Sequence, residues 1–177
     1  SGPPALFAFV LLENFSLIAF AAAVEPLRLA NRVSGRELYD WRILSEGGGP
    51  VRASCEALVH PDGPLEDLPR GATAVVCGGI GVAQATTRGV LNWLRRESRK
   101  GVRLGAVCTG AYALARAGLL DGRRCTIHWE NQDGFGEEFP EVELSDQIFV
   151  IDRDAITAAG GAAAGDMMLR VIGDAHG

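Results

Sequence analysis

The chain has 177 residues, of which 47% are hydrophobic and 22% charged, and its formal net charge is −5. That length suits one domain with a real core, and the composition excludes a disordered chain. An acidic balance also argues against a domain that grips nucleic acid by itself, because neutralising phosphates needs a basic face.

The four cysteines, Cys55, Cys77, Cys108 and Cys125, form no CxxC unit and no zinc-spaced cluster with histidine. Neither a metal nor a cofactor is expected. Cys55, Cys77 and Cys108 lie in or beside apolar runs, where free cysteine acts as a small hydrophobe. The expected setting is reducing and cytoplasmic. No signal peptide and no membrane-spanning run is legible. Ser1 and Gly2 carry no weight.

Residues 6–12 form a short continuous apolar run, as in a parallel strand buried on both faces. Residues 15–31 read as a helix rich in alanine and leucine, with Pro26 expected to kink or break it. Residues 39–44 are a second strand, and residues 47–50 a glycine-proline turn. The stretch 51–69 predicts one or two short strands and then a loop set by Pro61, Gly63, Pro64 and Pro69.

Residues 72–77 are an apolar strand ending at Gly78, Gly79 and Gly81. Residues 87–100 are an amphipathic helix with Val90, Leu91 and Leu94 inward. Its basic residues Arg95, Arg96, Arg99 and Lys100, with Arg103 beyond, read as a solvated stripe. A strand at 102–107 feeds a helix at 109–117, stopped by Gly118. A short strand is expected at 125–128, a hairpin at 147–151 and 155–158 turning at Arg153-Asp154, and a final helix at 161–175. Met167, Met168 and Leu169 are most simply core. Strands alternating with helices predict an α/β three-layer sandwich, a mostly parallel sheet with helices on both faces and the strand ending at Val107 near its middle.

Three segments carry candidate chemistry. In Leu104-Gly-Ala-Val-Cys108-Thr-Gly-Ala111 a buried strand runs straight into a helix among small residues, the layout of a nucleophile elbow. Cys108 at the tip would face the crevice at the carboxyl end of the sheet, with a thiolate favoured by the helix dipole; the alternative is a buried structural cysteine. Cys77-Gly-Gly-Ile-Gly81 ends another strand and is either an oxyanion-type loop or a plain glycine turn. Thr126-Ile-His-Trp-Glu130 offers an imidazole that pairs with Cys108 or is simply satisfied locally.

Together, Cys77-Gly-Gly, the Gly105–Gly110 elbow and Thr126-Ile-His128 resemble the class I glutamine amidotransferase-like superfamily, which includes intracellular proteases and protein deglycases. The flavodoxin-like fold follows from that resemblance. A narrower match lies in three blocks: Phe15 to Asn31, Cys108 to Glu130, and Ala158 to Leu169. They resemble the N-terminal domain of AraC-type transcription regulators of amino-acid and quaternary-amine catabolism.

The resemblance implies a ligand-sensing, homodimerising domain spanning 1–177, with a C-terminal helix-turn-helix domain expected in a full-length protein to make the DNA contacts. It implies an amino-acid or amine-like effector walled by Glu13, Asn14, Phe15, Gly79, Ile80, Cys108, Thr109, His128 and Trp129. Phe15 and Trp129 would face a cation and Glu13 would offset its charge. Enzymes of the superfamily place a carboxylate early in the first helix. Here that position falls near Ala19, with Glu13 before it and Glu25 beyond it. Cys108 therefore reads as a vestigial nucleophile with His128 as a partner, and no catalysis is expected. The alternative is a cysteine hydrolase, amidase or deglycase acting through Cys108.

Overall fold

In the computed structural model, residues 2–153 and 155–177 are described; Ser1 and Asp154, one of the two residues assigned to the hairpin turn, lie outside them. The elements run β1 (Ala5–Leu11), α1 (Leu17–Ser34), β2 (Tyr39–Ser45), β3 (Val51–Arg52), β4 (Leu58–Val59), β5 (Gly63–Pro64), β6 (Thr73–Cys77), α2 (Val82–Ala85), α3 (Arg88–Arg99), β7 (Arg103–Val107), α4 (Ala111–Arg116), β8 (Arg124–Cys125), α5 (Gln132–Glu138), β9 (Glu143–Leu144), β10 (Phe149–Asp152), β11 (Ala155–Ala158) and α6 (Gly161–His176). Seven strands form the main sheet in the order β10-β11-β7-β6-β1-β2-β5. Every pairing in it is parallel except the β10–β11 hairpin. This is the expected three-layer α/β architecture, and β7 is an interior strand between β6 and β11.

The two-residue period of the strands sorts the core onto two faces. Phe7, Phe9 and Leu11 of β1, Val75 of β6 and Ile156 of β11 point to the layer made by α1 and α6. Ala8 and Val10 of β1, Val76 of β6 and Ala106 of β7 point to the layer made by α3 and α4, where Trp93, Leu94 and Leu114 fill the space. Continuous apolar runs in β1 and β6 are thus explained by cover on both faces.

Several expectations need correction. α1 is one continuous helix through Pro26, so the proline does not break it. The strand expected at 125–128 is only β8, which pairs with β9 outside the main sheet, because Thr126 turns to bond the 145–147 segment. α2 and α5 were not legible, being too short to show helical periodicity. Leu169 is 61% exposed although Met167 and Met168 are fully buried. Cys55 is exposed in the β3–β4 turn, whereas Cys125, outside any long apolar run, is buried.

The basic stripe is partly occupied. Arg95 donates to the carbonyls of Arg116 and Ala117 and so closes the end of α4. Lys100 pairs with Glu97, a fully buried carboxylate that also accepts the Leu68 N–H at 2.8 Å.

Candidate functional site

The sheet reverses its direction of growth between β1 and β6, so a crevice opens at the carboxyl ends of those strands. Four segments meet there: the turn after β1, the glycine loop after β6, the elbow after β7, and residues 126–131.

The elbow is real in its backbone. Cys108 has φ +59°, a left-handed conformation that a non-glycine residue adopts only when its surroundings enforce it. The enforcement is visible in the neighbouring glycines. A Cβ on Gly110 would lie 2.2 Å from the Val76 carbonyl oxygen, and one on Gly78 would lie 2.6 Å from Thr109 Oγ1. The Thr109 hydroxyl donates to the Gly79 carbonyl at 2.7 Å, and Gly79 in turn has no room for a side chain against Asn14. The glycine loop is therefore a clamp that seats the elbow against the β1 turn; its Gly78 N–H is directed at Val107 O rather than at an oxyanion.

Cys108 itself is 8% exposed. Burial pushes its thiol above the ordinary value; the Thr109 N–H opposes this and the charge of Glu130 adds to it. The expected thiolate is not favoured. α4 has only six residues, and its dipole does not outweigh burial. His128 is tied to the elbow through the backbone, its N–H donating to the Cys108 carbonyl at 3.0 Å. Its Nδ1 accepts the Glu130 N–H at 3.3 Å, and its ring stacks beside Trp129 at 5.7 Å. Among the described residues no hydrogen bond joins the imidazole to the cysteine sulfur. Ala19 is fully buried in the first turn of α1, capped by Ser16, and Glu25 is an exposed partner of Arg28. No carboxylate stands at the first-helix position.

The nine residues expected to wall a ligand lie in different surroundings. Phe15 is fully buried, edge-on to Phe20, so its ring faces the core and no cation. Thr109 is buried with its hydroxyl committed, and Gly79 and Asn14 shape the clamp. Ile80 and Trp129 are 71% and 73% exposed. Glu13 lines a cavity of about 290 Å³ with Ser45, Glu46, Gln84 and Thr87. A second cavity, of about 350 Å³, lies between α2, α4 and α5 and is lined by Gln84, Tyr112, Glu130, Phe135 and Glu138 among others. Tyr112 donates to Glu138 Oε2 at 3.0 Å and stands edge-on to Phe139. Gln84 borders both cavities. Reading the sequence missed Gln84, Phe135 and Glu138 because α2 and α5 were not recognised, and Tyr112, on the expected helix α4, because its partner Glu138 lies on α5; the Gln132–Glu138 stretch, acidic and carrying an inward Phe135, held the signal.

Residues 8–174 match the DJ-1/PfpI family over almost the whole chain. The chain belongs to the DJ-1/PfpI family. Within that family it is 49% identical over 174 residues to the HTH-type transcriptional regulator GbdR of Pseudomonas aeruginosa, covering 98% of this chain and 47% of the regulator. It is 48% identical over 171 residues to the HTH-type transcriptional regulator CdhR of the same organism, covering 97% and 51%. The chain thus spans about half the length of these relatives. A solved structure of an AraC family transcriptional regulator from Pseudomonas putida superimposes with a TM-score of 0.87 at 29% identity, covering 98% of this chain and 94% of that one.

Proposed function

We propose that this chain is the ligand-sensing half of a helix-turn-helix transcription regulator, whose DNA contacts are made by the other half. The observation that carries the reading is the state of the elbow. The turn is kept, but burial raises the pKa of its cysteine, and among the described residues it has no hydrogen-bonded imidazole and no carboxylate at the first-helix position. A binding pocket beside a retained elbow suits recognition better than turnover.

The effector in this reading is an amino acid or amine whose cationic end enters the cavity beside the elbow. Its lining carries Glu130 and Glu138, the rings of Tyr112 and Phe135, and no basic residue. Carboxylates and aromatic faces together attract a desolvated cation. Dimerisation would use α1 and α6. Ile18, Leu29 and Val33 fall on one side of α1 and Leu169 lies on α6, all exposed. Sedimentation of the chain tests this: a dimer that Val33→Asp splits supports it, and a monomer at tens of micromolar (about the range of weak dimers) speaks against it.

Titration calorimetry against amino acids, betaines and polyamines tests the effector. The expected result is saturable binding weakened at least about tenfold, or roughly 1.4 kcal/mol, by Glu138→Gln. A ligand that binds equally well to Glu138→Gln and Glu130→Gln would remove this cavity from the reading. A cysteine hydrolase is the second reading, favoured by φ +59° at Cys108; amidase or deglycase turnover abolished in Cys108→Ser would promote it.

A further inference from the structure

Four segments at the carboxyl end of the sheet are laced into one ladder that begins at the elbow and ends on the surface. The elbow holds the glycine loop, with the Thr109 hydroxyl donating to the Gly79 carbonyl at 2.7 Å. The glycine loop holds the turn after β1. Leu12 N–H donates to the Cys77 carbonyl at 3.1 Å, Ser16 N–H to the Gly78 carbonyl at 2.9 Å, and Phe15 bridges to Gly79. That turn in its place holds the tip between β3 and β4. Asn14 N–H donates to the Arg52 carbonyl and Ser54 N–H to the Phe15 carbonyl, both at 2.8 Å. The Ser54 hydroxyl donates to the Asn14 carbonyl.

Backbone strain is distributed along the same ladder. Of the four non-glycine residues with positive φ among the described residues, three lie on it: Cys108 at +59°, Asn14 at +63° and Glu56 at +72°. A left-handed residue other than glycine persists only while its surroundings enforce it. Here much of the enforcement comes from the next segment along, so releasing one segment loosens the hold on its neighbour. Gly79 passes a displacement on, because it has no room for a side chain against Asn14 and close-packed backbone does not absorb movement. The far end can respond, since Ser54, Cys55 and Glu56 are all exposed.

We propose that the β3–β4 tip, residues 53–57, is a conformational reporter of the elbow. A change that relaxes or tightens the turn at Cys108 shifts the tip, and a partner that grips the tip acts back on Cys108. The coupling runs both ways, as equilibrium coupling between two sites must. The element with two arrangements is the strained ladder itself. In a sensing domain this is surface on which the state of the crevice becomes visible from outside. The device rests on the backbone ladder alone and is independent of which effector binds.

The test needs no ligand and reads each end of the ladder from the other. Ser54→Ala removes the hydroxyl on Asn14 and is read at Cys108, by alkylation with iodoacetamide and peptide mass spectrometry. Thr109→Val removes the hydroxyl on Gly79 and is read at the tip, by hydrogen exchange of the Ala53, Ser54 and Glu56 amides, which donate to Ala57, Phe15 and Ala53 carbonyls. Thr87→Ala, which uncaps α3 outside the ladder, is the control for general loosening. Cys108 should alkylate at least about threefold faster in Ser54→Ala, and the tip amides should exchange at least about threefold faster in Thr109→Val. Thr87→Ala should do neither. An unchanged Cys108 rate in Ser54→Ala overturns the proposal, and so does a rise that Thr87→Ala matches. A response at one end alone also overturns it, because the coupling must be reciprocal. If Thr109→Val does not fold, the exposed Ser54→Ala still decides, by its Cys108 rate against that of Thr87→Ala.

Discussion

Cys108 shows how a backbone device and a reactive group separate. Its left-handed φ is the elbow geometry, but burial, with the charge of Glu130, raises the pKa of its thiol. Alkylation followed by peptide mass spectrometry should therefore find Cys55 fastest, Cys108 slower, and Cys77 and Cys125 protected, since Cys77 is driven still higher by burial and Cys125 is pushed up to about 12. The pH profile of Cys108 should rise later than that of a free thiol near about 8.5. An early rise near neutrality would restore the expected thiolate. The stability consequence has the same sign. Thiols whose folded pKa is raised hold protons that the unfolded chain releases first, so their contribution is full below about 8.5 and falls as pH climbs above it. The elbow also depends on its clamp. Gly110→Ala would set a methyl 2.2 Å from the Val76 carbonyl, and the expected loss is about 3 kcal/mol or more by urea unfolding.

The α1–α6 pair carries an argument of its own. Pro26 leaves the Ala22 carbonyl without a helical donor, and α6 meets it at Gly165, where a Cβ would stand 3.5 Å from that oxygen. That spacing is ordinary contact. Gly165→Ala should thus be neutral or stabilising by up to about 1 kcal/mol, from helix propensity. Gly165→Leu should cost about 1–3 kcal/mol by forcing the helices apart. Equal melting temperatures for the two variants would mean that the helices do not meet there. Elements of this kind were legible to different degrees. β1, β6, β7 and α3 announced themselves because buried strands are continuous apolar runs and a long amphipathic helix has a clear period. The elbow was legible because small residues must surround a strained turn. α2 and α5 were not, and β8 only in part, since elements of two to seven residues are set by tertiary contacts such as the Thr126 bonds rather than by periodicity. The candidate cavity was lost with them: Glu13 and Trp129 marked the right end of the sheet, but Tyr112 and Glu138 needed α5 in place to be paired. The burial of Phe15 was invisible because a residue just after a strand can face either the crevice or the core.

At the scale of the whole molecule, charge decides what the chain can do alone. Its net charge is −5, and the basic residues most suggestive of a nucleic-acid surface are engaged elsewhere. Arg95 closes α4, Lys100 and Arg96 lie against the buried Glu97, and Arg103 is anchored on Thr73 and Phe7. Phosphate contacts supply most non-specific affinity for DNA, and they need a concentrated positive surface. Base reading needs an element shaped for a groove, and the exposed helices α1 and α6 present apolar residues, not a basic recognition face. In a gel-shift assay on a cognate upstream region, residues 1–177 should give no competitor-resistant complex, with or without an effector. A regulator carrying this domain joined to a helix-turn-helix half should shift the same fragment, and the effector should change that shift. A specific complex formed by residues 1–177 alone would move the DNA-binding function into this fold and would require a basic surface that α1, α3 and α6 do not provide.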